Sequence, residues 1–342
     1  MLLSLSALKS PARQSRLLAL AVLGWFAAAP AHACPFPPPA VHDVTLMNLD
    51  GDDVKAALDT AVLSSRKRNA SPVRDYLNTV IGEADVSFVQ ETESLSTYRA
   101  KCAVEWLEVW ARGDALLGAA VGPDAVAERR GALSGAAIAY LKVKPSASPE
   151  QSGIIEAWLT KLAVTAQFDM AEMEAGRSDD RYWLGLALGA TATATQNQPM
   201  WTTARTILEA AVKSIGADGI LPRSSQDKPH ALKDQAAALV PLMALAELAR
   251  ARGEDVYQLN DGALHRLAKT TIQGIDEPES FAAKIGVPQA EAADPQAGWL
   301  ALYALVNPET ATMAKFEMPS SHPWLGGNVL LLDAALAKNT GK

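Results

Sequence analysis

The sequence is short of cysteine, histidine, aromatic residues and basic charge, and each shortage excludes something. There are two cysteines, Cys34 and Cys102, and five histidines in 342 residues. Two thiols cannot form a four-sulfur site and the histidines are far apart, so no metal and no cofactor is expected. Lys and Arg number 31 against 38 Asp and Glu, a formal charge of −7. A general nucleic-acid binder is basic, so that class is not expected. Beyond the first 33 residues, no uncharged apolar run approaches the ~20 residues that span a bilayer, so no membrane span is expected. β-branched alternation is also missing, which argues against sandwiches and barrels.

What is present is Ala- and Leu-rich, 49% hydrophobic and 20% charged, the balance of a folded helical protein. Residues 1–33 read as a secretory signal peptide. Lys9, Arg13 and Arg16 precede the apolar run Leu17 to Ala29, and Ala31-His32-Ala33 is a small-x-small cleavage site. Those residues carry three bases and no acid, so residues 34–342 carry about −10. Cleavage after Ala33 leaves Cys34 first. That admits an acylated Cys34 or a Cys34–Cys102 disulfide. His32 suits a lipoprotein signal poorly, and two thiols in an oxidising compartment more often pair.

After the Pro-rich lead-in 35–45, the spacing predicts about ten helices joined by short Gly, Pro or Asp turns. Expected helices are 52–68, one opened by Ser71-Pro72, 95–113, 125–143, 149–173, 181–196, 198–214, 231–252, 261–274 and 325–338. The predicted fold class is all-α, with residues 34–342 as one domain of paired antiparallel helices. A bundle, a solenoid and a toroid all fit, since no fixed-period repeat is visible. Trp106, Trp110, Trp158 and Trp183 are expected in the core.

Several segments carry a resemblance. Ile215-Gly216-Ala217-Asp218-Gly219-Ile220-Leu221-Pro222, Asn260-Asp261-Gly262-Ala263-Leu264 with Arg266-Leu267-Ala268, and Glu277-Pro278-Glu279 with Phe281-Ala282 are three of them. Trp106, Trp110-Ala111 with Asp114-Ala115-Leu116-Leu117, and Leu325-Gly326-Gly327, are two more. In this order and spacing the chain resembles the family 5 polysaccharide lyases, the periplasmic alginate lyases. The resemblance implies an incomplete α/α toroid with a long cleft, a periplasmic location, a polysaccharide partner and support for the Cys34–Cys102 bridge.

The resemblance fails at the catalytic positions. The family's Asn-Asn-His-Ser-Tyr-Trp falls on Ser178-Asp179-Asp180-Arg181-Tyr182-Trp183. Asp180 stands at the catalytic His and Asp179 at its Asn partner. Ala237 stands at the proton-transferring Tyr, His230 at an Arg, Asn48-Leu49 at a Lys-Tyr pair, and Trp324 at a second Arg. β-Elimination of a uronate needs a neutralised carboxylate, a base and an acid, so the family's mechanism is not expected unchanged. The candidate catalytic residues become Asp180, Tyr182 and His230, with Asp179, Arg181, Lys233 and Trp183 as candidate substrate contacts. Asp179 and Asp180 read equally well as first-turn helix acids. Two carboxylates flanking a sugar bond would suit hydrolysis as well as elimination. The competing expectation is a non-catalytic toroid that holds an acidic or related polysaccharide, or packs against exopolysaccharide secretion proteins. In a third reading Trp324 and Leu49 close the cleft and the role is purely structural.

Overall fold

The computed structural model describes residues 34–45, 60–90, 92–172, 178–222, 228–290, 298–316 and 319–340. The chain divides into Met1–Cys34 and Pro35–Lys342, and the helices belong to the second unit. Its helices are α1 (Thr60–Val89), α2 (Glu93–Arg112), α3 (Pro123–Val143), α4 (Pro149–Glu172), α5 (Ser178–Thr195) and α6 (Gln198–Ser214). They continue with α7 (Ala231–Ala251), α8 (Leu259–Asp276), α9 (Pro278–Ile285), α10 (Trp299–Val306), α11 (Pro308–Ala311) and α12 (Leu331–Thr340). Two short ladders accompany them. β1 (Val44–Thr45) pairs in parallel with β2 (Ala120–Val121), and β3 (Ser321–His322) pairs antiparallel with β4 (Gly327–Asn328).

Burial separates the helices into two kinds. Every residue of α3 from Glu128 to Val143, and of α7 from Ala238 to Ala249, is buried. Such helices must be covered all round. In α6, by contrast, the buried residues Met200, Trp201, Ala204, Leu208, Ala211 and Val212 make one stripe. The odd-numbered helices α1, α3 and α5 run side by side in the same direction. Arg74, midway along α1, meets Glu128 in the second turn of α3, and Asp85 meets Lys142 near the ends of both. Arg130 then meets Asp180 and Lys144 meets the Ala194 carbonyl. α7 packs on α5 through Leu245, which lies against Gly185 and Gly189. Helices α2, α4 and α6 pack outside them. The pairs lie 54 and 57 residues apart, then 50 and 50. The repeat absent from the sequence is thus present in space, one helical hairpin per step, as an α/α toroid requires.

Helix ends follow local chemistry. Ser148 and Gln151 cap each other at the start of α4, side chain to backbone N–H in both directions, a capping box. Asn197 accepts the Met200 N–H at the start of α6. Two expectations fail. Ser71-Pro72 does not open a helix, because α1 runs through Pro72. An interior proline costs about 3 kcal/mol, and here Val73, Tyr76, Leu77, Val80 and Ile81 are buried immediately after it. The last helix starts at Leu331 rather than at 325, because Gly326 and Gly327 have φ of +69° and +93°, outside the helical region. Helices α9, α10 and α11 fall outside the expected set. Residues 52–59, Asn48 and Leu49 lie outside the described residues.

The Pro-rich lead-in lies along one face of α2. Cys34 and Cys102 are both disulfide-bonded and, being the two cysteines of the chain, form the Cys34–Cys102 bridge. The next two turns of that face supply Trp106 Nε1, donating to Pro35 O at 2.6 Å, and Trp110 Nε1, donating to Pro38 O at 3.0 Å. The bridge occupies the Cys34 sulfur that acylation would need. Replacing both cysteines with serine is expected to lower stability by about 4 kcal/mol, the chain-entropy value for a loop of this length. Chemical unfolding at matched protein concentration measures it, and an unshifted midpoint contradicts the expectation.

Candidate functional site

The segments that resemble the lyases turn out to hold the scaffold together. In the 215–222 turn, Gly219 has φ +78° and any Cβ there would lie 2.5 Å from the Arg266 carbonyl. Thr270 Oγ1 donates to Asp218 O at 2.9 Å. Asn260, Asp261 and Gly262 are three successive residues of positive φ. Asn260 Nδ2 caps the end of α6 at Val212 O and Ile215 O, 3.2 and 3.3 Å away. Arg266 donates back to the Asn260 and Asp261 carbonyls. These motifs bind two turns to each other.

The candidate site lies where α3, α5 and the β3–β4 hairpin meet. Small residues on one face of α3 admit the hairpin. A Cβ on Gly131 would lie 2.2 Å from the Trp324 ring, and one on Gly135 2.3 Å from the Pro323 carbonyl. The Lys142 ammonium is fully buried, pairs with Asp85 and donates to Gly326 O at 2.6 Å and Asn328 O at 3.1 Å. Asp85 also accepts the Asn328 N–H at 2.7 Å. Burial lowers the Lys142 pKa while Asp85 opposes the shift. Two glycines and one buried lysine therefore fix the hairpin that carries His322 and Trp324.

Beside it are two buried arginines. Arg129 donates to both oxygens of Asp169 at 3.0 and 2.8 Å. Arg130 Nη2 donates to Asp180 Oδ1 at 2.6 Å, with the arginine side chain 2% and the aspartate 19% exposed. Desolvation lowers the Arg130 pKa, and Asp180 and then Asp169 counter it. One turn after Asp180, Trp183 meets Trp324 edge-on, with centroids 5.2 Å apart and planes at 89°. His322 lies 5.9 Å from Trp183 and 6.0 Å from Trp324. Its Nδ1 accepts the Trp324 N–H at 3.1 Å, which leaves the proton of the neutral ring on Nε2.

Burial pushes the His322 pKa down to about 4 from 6.5. The unfolded chain therefore takes up the proton first as pH falls. The stability this neutral ring supports is complete above pH ~6.5 and is lost progressively down to pH ~4, by about 3 kcal/mol in total. Urea unfolding between those pH values is expected to show the loss. His322→Asn keeps an acceptor for the Trp324 N–H and is expected to flatten the profile. An equally steep profile in that variant contradicts the assignment.

The sequence-derived candidates separate. Asp180 and Trp183 share this site. Arg181 and Tyr182 instead line a cavity of about 180 Å³ with Ile207, Ala211 and Ser214 of α6, on the outer side of α5. Their positions on the helix turn Arg181 and Tyr182 away from the Asp180 face. His230, at the N-cap of α7, and Lys233, in its first turn, are exposed. The Asp179 side chain lies outside those described. Trp106, Trp110 and Trp158 are core residues as expected, whereas Trp183 is half-buried and faces the site. Arg130, Asp169 and His322 were not foreseen. Arg129-Arg130 was the available signal, two adjacent charges opening an otherwise small and apolar helical stretch. Among the described residues no group of three or more His, Cys, Asp or Glu is placed to hold a metal ion, and no helix is long and apolar enough to cross a membrane.

Comparison with known proteins completes the picture. The profile of the family described as Alginate lyase matches residues 66–281. A protein of Stenotrophomonas maltophilia described as a polysaccharide lyase is 31% identical, over 88% of this chain and 90% of that one. An alginate lyase of Pseudomonas syringae pv. syringae is 27% identical over 92% of each. Alginate lyase A1-III, as a tyrosine-to-phenylalanine variant complexed with tetrasaccharide, superposes with a TM-score of 0.71. That match has 18% identity and covers 87% of this chain and 85% of that one. At that identity the match shows the shared α/α toroid fold. By its profile match and its identity to relatives over most of their length, this chain belongs to the alginate lyase family.

Proposed function

We propose that this protein is an exported, periplasmic member of the family that holds a polysaccharide in its cleft without running the ordinary β-elimination of alginate. The observation that carries this reading is the Asp180 carboxylate at 2.6 Å from Arg130. At the position the resemblance assigns to the catalytic histidine, the side chain is committed to balancing a buried cation. Ala237 offers no proton where the resemblance implies a tyrosine. Hydrolysis by two carboxylates would need a second carboxylate free to act opposite the first, and the neighbouring Asp169 is held by both oxygens on Arg129. Export is supported by the signal-like residues 1–33 and by the Cys34–Cys102 bridge, which suits an oxidising compartment. Packing against exopolysaccharide secretion proteins is a role that a non-cutting binder would fit.

The test is incubation of the secreted protein with a panel of polysaccharides. Retardation in glycan-loaded native gels reads binding, while ultraviolet absorbance and reducing-sugar assays read cleavage. Retardation without new ends is the expected result. Sustained formation of unsaturated ends from alginate, or no retardation by any glycan, would sink the proposal.

A further inference from the structure

Of the tryptophans within the described residues, Trp106, Trp110, Trp158, Trp201 and Trp299 are buried, and the first four donate their N–H to a backbone carbonyl or to Glu254. Trp183 and Trp324 differ. Both are half-buried, and they meet at 89° to form an aromatic corner with the His322 ring within 6.0 Å of each. A core does not require this arrangement, and the hairpin that creates it is held by Gly131, Gly135 and the buried Lys142.

The charges around the corner cancel. Arg130 is paired with Asp180, and Arg129 with Asp169. Arg181 lines the cavity on the other side of α5. His322 is neutral near pH 7 because burial disfavours its charged form. Among the described residues, a sugar carboxylate placed here would find Arg129 and Arg130 already paired, and it would face the negative quadrupoles of the indole rings. The C–H face of an uncharged pyranose stacks well on such rings, and the indole N–H groups can donate to its hydroxyls.

We propose that Trp183, Trp324 and His322 form a stacking subsite for an uncharged pyranose, so that the polysaccharide held in this cleft contains a neutral sugar in its repeat. The inference rests on the polysaccharide-holding reading above and narrows it. Trp324 is the residue that sets the preference, because it brings a ring where the resemblance implies a guanidinium.

The test uses the secreted, disulfide-bonded protein and two sets of oligosaccharides, read by tryptophan fluorescence and calorimetry. One set is neutral: gluco-, galacto-, manno- and N-acetylglucosamine oligomers. The other is oligomannuronate, oligoguluronate and oligoglucuronate. At least one neutral series is expected to bind more tightly than every uronate series. Trp324→Ala is expected to weaken that binding at least tenfold and Trp324→Phe to retain most of it. Trp324→Arg is expected to shift the ratio of uronate to neutral affinity at least tenfold towards uronate. Circular dichroism confirms that each variant is folded. Tighter uronate binding by the unaltered protein, or a folded Trp324→Ala that binds neutral oligomers unchanged, overturns the subsite and leaves the polysaccharide-holding reading intact. Failure of every oligosaccharide in both sets to bind overturns that reading and the subsite with it.

Discussion

Alginate incubated with this protein is expected to gain unsaturated uronate ends at least ~10³-fold more slowly than with a family member that carries the catalytic histidine and tyrosine. A positioned acid or base contributes about 10²–10⁴ in rate. Here Asp180 and Ala237 stand at two such positions, and His230 and Trp324 at the two places where an arginine is implied. Groups that act together are not additive, so the combined loss is set by the unit rather than by a product. An unpaired carboxylate at position 180 would repel a uronate by like charge. In the fold its charge is balanced by Arg130 at 2.6 Å, so repulsion at this point is small. What is missing is the means of moving a proton. Initial rates on mannuronate-rich polymer, followed by ultraviolet absorbance, decide the matter. A rate within tenfold of such an enzyme would show that other groups do the chemistry.

Reinstating the histidine should do harm before it does good. Asp180→His, and equally Asp180→Asn, is expected to destabilise the fold by about 3–5 kcal/mol, because it leaves the Arg130 guanidinium buried without its counter-ion. For a domain of this size that corresponds to a fall in melting temperature of about 5–8 °C. Replacing both partners with apolar residues of similar volume, Arg130→Met with Asp180→Leu, should recover most of the loss, since a buried pair is often no better than a well-packed apolar one. A double-mutant cycle on thermal or urea unfolding measures the coupling. If Asp180→His melts within ~2 °C of the unaltered protein, the ion pair does not hold this site together and the argument about Asp180 fails with it. Any attempt to rebuild a lyase here must therefore change Arg130 together with Asp180, Asp179, His230 and Ala237.

Much of this was legible in the residues. The four-residue spacing of Cys102, Trp106 and Trp110 marks one helical face, and that face receives Cys34, Pro35 and Pro38. Ser148 before Pro149, and Asn197 before Gln198, set the starts of α4 and α6 because caps act within one turn. The ordered turns 215–222, 260–268 and 325–327 pointed to the family, since φ above zero and tight backbone approach restrict which residues fit. The departure at Asp180 and Ala237 was visible as a change of residue type alone.

Tertiary structure decided what those residues do. That Asp180 answers to Arg130, and Asp85 to Lys142, follows from parallel helices whose contacts lie 50 and 57 residues apart, and no sequence period announces that distance. His322 and Trp324 enter the site only because Gly131 and Gly135 leave room on α3. Trp183 faces that site while Tyr182, its neighbour in sequence, faces α6. Helical periodicity is local and fixes which side chains share a face. Which face meets which, and so whether a carboxylate is a catalyst or a counter-ion, is set by lateral packing between elements far apart in the chain.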